Sequence, residues 1–296
     1  YSDFRFQYKA LKNITFGGIN TKRKLFCQIS PFTYRLSVLR CRICRHLKNL
    51  FVLNKFADKK SDLILPISIY KHNSLIRRKL GNVNMQLQEN KAINLSLAAP
   101  KLNGILIKPG QTFSFWHLVG NASEKRGYQE GLTITTGHPS KGIGGGMCQL
   151  TNLVHWMVLH TDLTVTELHH HDQIDLFPDF NRQVPFGTGT SILYNYLDYR
   201  VKNETGITYQ LLVYVTEEYL CGEIRADRNQ PYTYHIKSQN EFFSKEPDGI
   251  YRNGVILRDK VDPMTGNHME LQLLRKNHAK VAYDTEHLDI TDLVKG

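Results

Sequence analysis

Three consecutive glycines, Gly144-Gly145-Gly146, pass through Met147 and Cys148 straight into a periodic apolar pattern, and this junction constrains the chain more than any other stretch. Leu150, Leu153, Val154, Met157 and Val158 fall at i, i+3, i+4, i+7 and i+8, the spacing of a helix with one buried face. The spacing predicts a helix from Cys148 to about Thr161, with Cys148 at or beside its N-terminus. Unpaired N–H groups and the positive end of the helix dipole favour a thiolate there, the form of cysteine that attacks carbonyls or binds metals. The glycines suit a backbone with positive φ that approaches a substrate closely and offers free N–H groups to a developing oxyanion. The plainer reading of the same residues is a buried structural cysteine on a tight turn.

A chain of 296 residues with 41% hydrophobic content can bury a real core as one large domain or two. Its formal charge of +11 is concentrated between Phe32 and Lys60, where Arg35, Arg40, Arg42, Arg45, Lys48, Lys55, Lys59 and Lys60 stand against Asp58 alone. Leu36, Leu39, Ile43, Leu47, Leu50 and Phe51 are interleaved with them, the pattern of a basic amphipathic helix or pair of helices. Such a segment suits peripheral contact with an anionic membrane through residues 32–60, or a helix packed on the domain with a solvated basic face. No RNP aromatic pattern, zinc finger or basic zipper accompanies the charge, so nucleic acid is not an expected partner. No apolar run is long enough to cross a bilayer, and nothing at the start has the layout of a signal peptide. The residues suggest a cytoplasmic or membrane-associated protein, although the chain begins at Tyr1 without a Met and so carries no reading about export. Five cysteines, Cys27, Cys41, Cys44, Cys148 and Cys221, are too few and too odd in number for a disulfide scaffold, and the lone Cys41-Arg42-Ile43-Cys44 has no second pair to complete a zinc site.

The expected architecture is α+β: the helix bearing Cys148 packed on an antiparallel sheet, a helical basic N-terminal region over 1–89, a central domain over 90–228 and a small β-meander over 229–296. Lys91 to Leu102 reads as helix and Leu102 to Ile107 as strand. Leu163 to His171 reads as a strand that places His169 and His171 on one face and His170 on the other. Ser191 to Val201, Thr208 to Val215 and Leu220 to Ala226 read as further strands, with Asn203-Glu204-Thr205-Gly206 as a turn between the first two. Asn253-Gly254 predicts a hairpin turn in the C-terminal meander.

A nucleophilic cysteine needs a base, usually His, and a third group to orient it. His169 or His171 could supply the base, with Asp198, Asn203 and Asp172 as candidates for the third member. Cys148, His169 and His171 are also legitimate zinc ligands, which keeps a metal-dependent hydrolytic site as an alternative to a cofactor-free one.

The ordered set Lys108-Pro109-Gly110-Gln111-Thr112-Phe113-Ser114-Phe115, Gly127-Tyr128, Glu130-Gly131, Gly144 to Leu150, Glu167-Leu168-His169-His170-His171 and Leu197-Asp198-Tyr199-Arg200-Val201-Lys202-Asn203 resembles the VanW family over about 90–226. The family is named for an accessory protein of B-type vancomycin-resistance clusters. The resemblance implies bacterial cell-wall chemistry: some larger members are regarded as L,D-transpeptidases, in which a cysteine attacks a peptidoglycan stem peptide and passes the acyl group to a neighbouring amine. It implies Cys148 as nucleophile, His169 or His171 as base, and Gly145, Gly146 and Gln149 as neighbours of the oxyanion; the expected substrate-binding set adds Gly144 and Ser114 to these three, and Asp198 stays among the candidates for the third member. The expected partner is a stem peptide or its precursor, handled outside the membrane if the transpeptidase implication holds. Two departures stand out. Where family members often carry Gly-x-Asp-Ala-Thr, this chain has Gly187-Thr188-Gly189-Thr190-Ser191, with no carboxylate, and it has no recognisable wall-binding module. A non-catalytic accessory protein with a structural Cys148 is the rival reading.

Overall fold

In the computed structural model, residues 25–78, 85–135, 138–170, 174–176, 184–286 and 288–292 are described, and the chain divides into two units, Tyr1–Cys44 and Arg45–Gly296. The basic pattern forms a single helix, α1 (Pro31–Leu50), which contains no acidic residue. Ser30 and Thr33 start it reciprocally: the Thr33 N–H donates to Ser30 Oγ (3.2 Å) and the Ser30 N–H to Thr33 Oγ1 (3.0 Å). Leu36, Leu39, Ile43, Leu47 and Leu50 form an exposed stripe along it. Among the described residues no helix is long and apolar enough to cross a membrane.

The second unit is built around a four-stranded antiparallel sheet. β1 (Ile67–Leu75) is its edge, and the helix α2 (Met85–Leu102) follows. Next come β2 (Ile105–Ile107), β3 (Thr112–Ser114), the short helix α3 (Phe115–Val119) and the hairpin β4 (Glu130–Thr135) with β5 (His138–Ile143). The hairpin leads through the glycines into α4 (Cys148–Val158), then β6 (Thr164–Glu167), β7 (Ile174–Asp175), β8 (Arg200–Lys202), β9 (Tyr209–Val215) and β10 (Tyr219–Ala226). The central sheet runs β1-β10-β9-β2, and a second sheet runs β3-β8-β6.

The core is where α2 and α4 meet this sheet: Leu95, Ala98 and Leu102 from α2, Leu150, Leu153 and Met157 from α4, and Leu211, Val213, Leu220 and Ile224 from the strands are all buried. A Cβ added at Gly222 of β10 would lie 2.6 Å from Met157 Cε and 2.9 Å from Leu153 Cδ2, so a missing side chain lets the cysteine helix press onto the sheet.

The expected α+β class holds, but several element boundaries differ. The N-terminal 89 residues are not purely helical, because β1 pairs with β10 from Ile67↔Ala226 to Leu75↔Tyr219 and so completes the central sheet. Pro66 ends the loop before it, and β-rich Ile67-Ser68-Ile69-Tyr70 takes the edge position. The 191–201 stretch is mostly turn, closed by a Leu193↔Leu197 bridge, with strand only at β8. Because β8 pairs with β3 and β6, Asn203-Glu204-Thr205-Gly206 does not close a hairpin; Asn203 instead ties the carbonyls of Ile107 and Ile207 (both 2.7 Å).

The C-terminal extension is three long antiparallel strands, β11 (Thr233–Glu246), β12 (Gly249–Val261) and β13 (His268–Val281), flanked by the parallel edges β7 and β14 (Ile290–Asp292). Its first turn is Pro247-Asp248, ahead of Gly249 at φ +150°, and Asn253-Gly254 lies inside β12 instead. Gly254 there faces the bulge between Gln239 and Phe242, where a Cβ would crowd Glu241.

Replacing Gly222 with Val should overpack the α4–sheet contact and cost roughly 1–3 kcal/mol of stability. Chemical denaturation measures it, and an unchanged midpoint would mean that α4 does not sit against β10.

Candidate functional site

Gly144 (φ +76°) and Gly146 (φ +90°) adopt the left-handed backbone that the glycine run predicts, and this reverses the chain from β5 into α4. Gly145 is needed for a different reason: a Cβ there would fall 2.1 Å from the carbonyl carbon of Gly131, because β4 runs directly beneath the turn. The turn is held from above by α2. Asn94, fully buried, accepts from the Gln129 N–H (2.8 Å) and donates to the carbonyls of Gln129 (3.0 Å) and Gly145 (2.9 Å). One helical turn earlier, the Lys91 stem crosses Gly146 so closely that a Cβ on Gly146 would meet Lys91 Cγ at 2.2 Å.

The glycine N–H groups are therefore not available to a substrate, contrary to expectation. Gly144 donates to Gln129, Gly145 to Gly142 and Gly146 to Leu132, at 3.0–3.1 Å. The next N–H groups in the chain, those of Met147 and Cys148, donate to no carbonyl among the described residues.

Cys148 opens α4 as expected, with its side chain partly exposed. Burial pushes the thiol above its ordinary value, and the N–H groups of Ile192 and of Cys148 itself, both directed at the sulfur, only partly offset this. Ile192 reaches Cys148 because the 187–192 segment is stitched to α4. The Thr190 N–H donates to Asn152 Oδ1 (2.6 Å), and the Thr190 and Thr151 hydroxyls meet at 2.5 Å.

The histidines part company. β6 ends at Glu167, so the alternation of faces does not continue through the triplet. His169 Nε2 pairs with Glu167 Oε1 at 3.0 Å. His170 turns toward α4: its Nδ1 meets the Gly189 carbonyl, beside Thr190, and its charge acts on His155 of α4. His171 and Asp172 lie outside the described residues. Among the described residues no histidine nitrogen is hydrogen-bonded to the Cys148 sulfur. His155, two turns along α4, is no substitute, since burial holds it neutral with its pKa lowered to about 3 and its Nδ1 meets the Tyr199 hydroxyl at 3.1 Å.

Asp198 and Ser114 join a buried network in the β3-β8-β6 sheet. Asp198 accepts from the Ser114 hydroxyl (2.6 Å), the N–H groups of Trp116 (3.0 Å) and Tyr199 (2.9 Å), and Arg200 Nε (2.8 Å). Those bonds occupy its oxygens, so it orients backbone and Arg200. Ser114 in turn caps α3 by accepting the His117 N–H (3.3 Å). Asn203, the other described candidate for a third member, is spent on the loop between β8 and β9. Gln149 donates through Nε2 to Ser74 Oγ and the Leu75 carbonyl (both 2.9 Å), fixing the end of β1 beside the first turn of α4.

The pivot of the network is Glu167, which took no part in the sequence-based site although it heads the Glu-Leu-His-His-His run. Arg45 grips it with two bonds of 2.6 and 2.7 Å. Burial alone would raise its carboxyl, but His169 and Arg45 outweigh that and hold it below the ordinary 4.5. Among the described residues no group of three His, Cys, Asp or Glu side chains is placed to hold a metal ion, and His171 of the alternative zinc set lies outside them. Lys91 and Asn94 were also missed; the only signal for them was a charged and an amide residue on the apolar face of a predicted helix.

A family model described as VanW like protein matches residues 90–225. The vancomycin B-type resistance protein VanW of Enterococcus faecalis is 34% identical over 271 residues, covering 91% of this chain and 98% of that protein. The chain belongs to the VanW family. The uncharacterized protein YoaR of Bacillus subtilis is 27% identical over 119 residues, 39% of this chain and 36% of its own length. No solved structure matches. The span of the family-model match takes in most of α2, the glycine turn and α4, but leaves out β1, the strand that completes the central sheet.

Glu167→Gln should cost roughly 3–5 kcal/mol, because Arg45 then keeps a buried charge without its counter-ion. The depressed carboxyl contributes stability that is present above the ordinary 4.5 and lost as pH falls through its lower folded value. Denaturation between pH 3 and 7 should therefore show a shallower acid loss in the variant than in the wild type, and parallel curves would remove Glu167 from this role.

Proposed function

We propose that this VanW-family chain serves glycopeptide resistance through Cys148-dependent acyl transfer or hydrolysis on peptidoglycan stem peptides. The observation that carries the reading is the place of Cys148 as the first residue of α4, where the unpaired N–H groups of the helix start gather behind the glycine turn. Donors in that position stabilise negative charge as it develops on sulfur, and the positive end of α4 adds to them.

Because burial keeps the thiol protonated at rest, a base must act during attack. His170 is the described candidate. If its Nδ1–H donates to the Gly189 carbonyl, its Nε2 is the basic nitrogen, and ring and cysteine are both fastened to the 187–192 segment. In this scheme the sulfur forms a bond to the scissile carbonyl carbon while the thiol proton passes to the imidazole. The Met147 N–H receives the oxyanion, the C–N bond breaks, and the proton leaves on the departing amine. An acceptor amine or water then releases the thioester. Catalytic contacts of this kind commonly tighten only when substrate binds.

A non-catalytic accessory that binds stem peptides is favoured by one observation, the upward shift of the Cys148 thiol. Intact-mass spectrometry of the protein incubated with stem peptides separates the two. The acyl-transfer reading predicts a covalent adduct that is absent in Cys148→Ala and forms about 10²-fold more slowly in His170→Ala. A wild-type protein that binds the peptides and forms no adduct supports the accessory reading instead.

A further inference from the structure

We infer that α1 docks on an anionic membrane surface, lying flat at the headgroups with its apolar stripe turned into the lipid and its arginines on lipid phosphates, whatever chemistry takes place at Cys148.

A basic amphipathic helix packed on a domain turns its apolar stripe inward and leaves its cations in water. α1 does the reverse. In the second unit, which the helix enters at Arg45, its polar side makes the attachment: buried Arg45 grips Glu167 through bonds of 2.6 and 2.7 Å, and Asn49 Oδ1 accepts from Arg200 Nη2 at 2.8 Å. Leu47 and Leu50 stand two and five residues beyond Arg45, about 200° and 140° around a helix that turns roughly 100° per residue, and so point away from that attachment. Both are exposed, and Phe51 after them is 86% exposed. The stripe continues along the same helix through exposed Ile43, Leu39 and Leu36 to Phe32, 73% exposed. A contiguous apolar surface of this length marks an interaction site.

Charge selects the occupant. α1 holds Arg35, Arg40, Arg42, Arg45 and Lys48 and no acidic residue. Exposed Arg40 lies four residues after Leu36 and three before Ile43, and exposed Arg35 three after Phe32 and four before Leu39, so the two border the stripe on opposite sides. Long arginine stems in that position let the guanidinium groups reach phosphates while the leucines sink below them. Exposed apolar residues also run past both ends of the helix, Phe26 and Ile29 before it and Phe51 and Leu53 after it. A helix-on-helix seam would stop there, and a bilayer surface does not. Because no described helix is long and apolar enough to cross a membrane, α1 lies on the surface.

Co-sedimentation of the full chain with phosphatidylcholine vesicles, with and without a third of the lipid replaced by phosphatidylglycerol, tests this. The protein should bind the anionic vesicles tenfold or more tightly than the neutral ones. About 0.5 M salt should weaken that binding without abolishing it, because the inserted stripe is not screened. The paired variant Leu39→Gln with Ile43→Gln keeps every charge and should lose tenfold or more in affinity, as should Arg35→Gln with Arg40→Gln. All four side chains are exposed, so Tm should not change.

Failure to bind anionic vesicles overturns the proposal. If a concentration-dependent dimer that the Leu39 and Ile43 pair abolishes accompanies that failure, the stripe belongs to a second copy of the chain. Complete release by salt, or binding that this pair leaves unchanged, overturns it as well, since either outcome reduces the contact to adsorption of a chain of net charge +11. The salt response is read on the wild type alone and holds whether or not the variants fold.

Discussion

The geometry around Cys148 depends on one buried amide. Asn94 satisfies three backbone groups of two different segments at once, the N–H and carbonyl of Gln129 and the carbonyl of Gly145, and so locks the entry to β4 and the glycine turn onto α2. Each of those groups would be left unpaired in a dry interior without it, at roughly 1–3 kcal/mol apiece. The three glycines are what make the clamp possible. Two take the left-handed backbone, and Gly145 lets the turn lie on Gly131 with no side chain between. Once the turn is fixed, α4 can start only at Cys148.

Two buried polar systems flank this clamp with opposite character. On the Glu167 side every charge has a counter-charge: Arg45, His169 and Arg200 surround Glu167 and Asp198, and the backbone N–H groups of Trp116, Asp198 and Tyr199 complete the bonding. Such a network positions strands and takes no further ligand. On the α2 side the contacts are local instead: Arg77 holds Glu89, and the Lys91 stem lies over Gly146. His169, Asp198 and Ser114 belong to the Glu167 network.

Legibility in the sequence followed the range of the interactions. The cysteine helix and its starting residue were readable because a 3.6-residue period and a glycine run are local signals. The positive φ of Gly144 and Gly146 was readable for the same reason. The strand expected to run through His171 ends earlier, since counting faces assumes a strand that continues, whereas β6 stops at Glu167 and the triplet lies beyond it. Asn253-Gly254 has hairpin chemistry, yet Pro247-Asp248 ahead of Gly249 made the turn first and left Gly254 opposite a bulge. Asn94, Lys91 and the Arg45–Glu167 pair act across 35 or more residues of chain, and no local pattern announces such partners.

The pH dependence of Cys148 alkylation, followed at that residue by peptide mass spectrometry in the wild type and in Asn94→Ala, tests the central claim most directly. The clamp holds the turn from which the partly exposed thiol starts α4, and its surroundings push that thiol up, so wild-type alkylation should rise with an apparent pKa above the ordinary value of about 8.5, and releasing the clamp should speed the reaction and bring that value down. A wild-type thiol that already titrates well below 8.5, or a profile that Asn94→Ala leaves unchanged, would contradict the account.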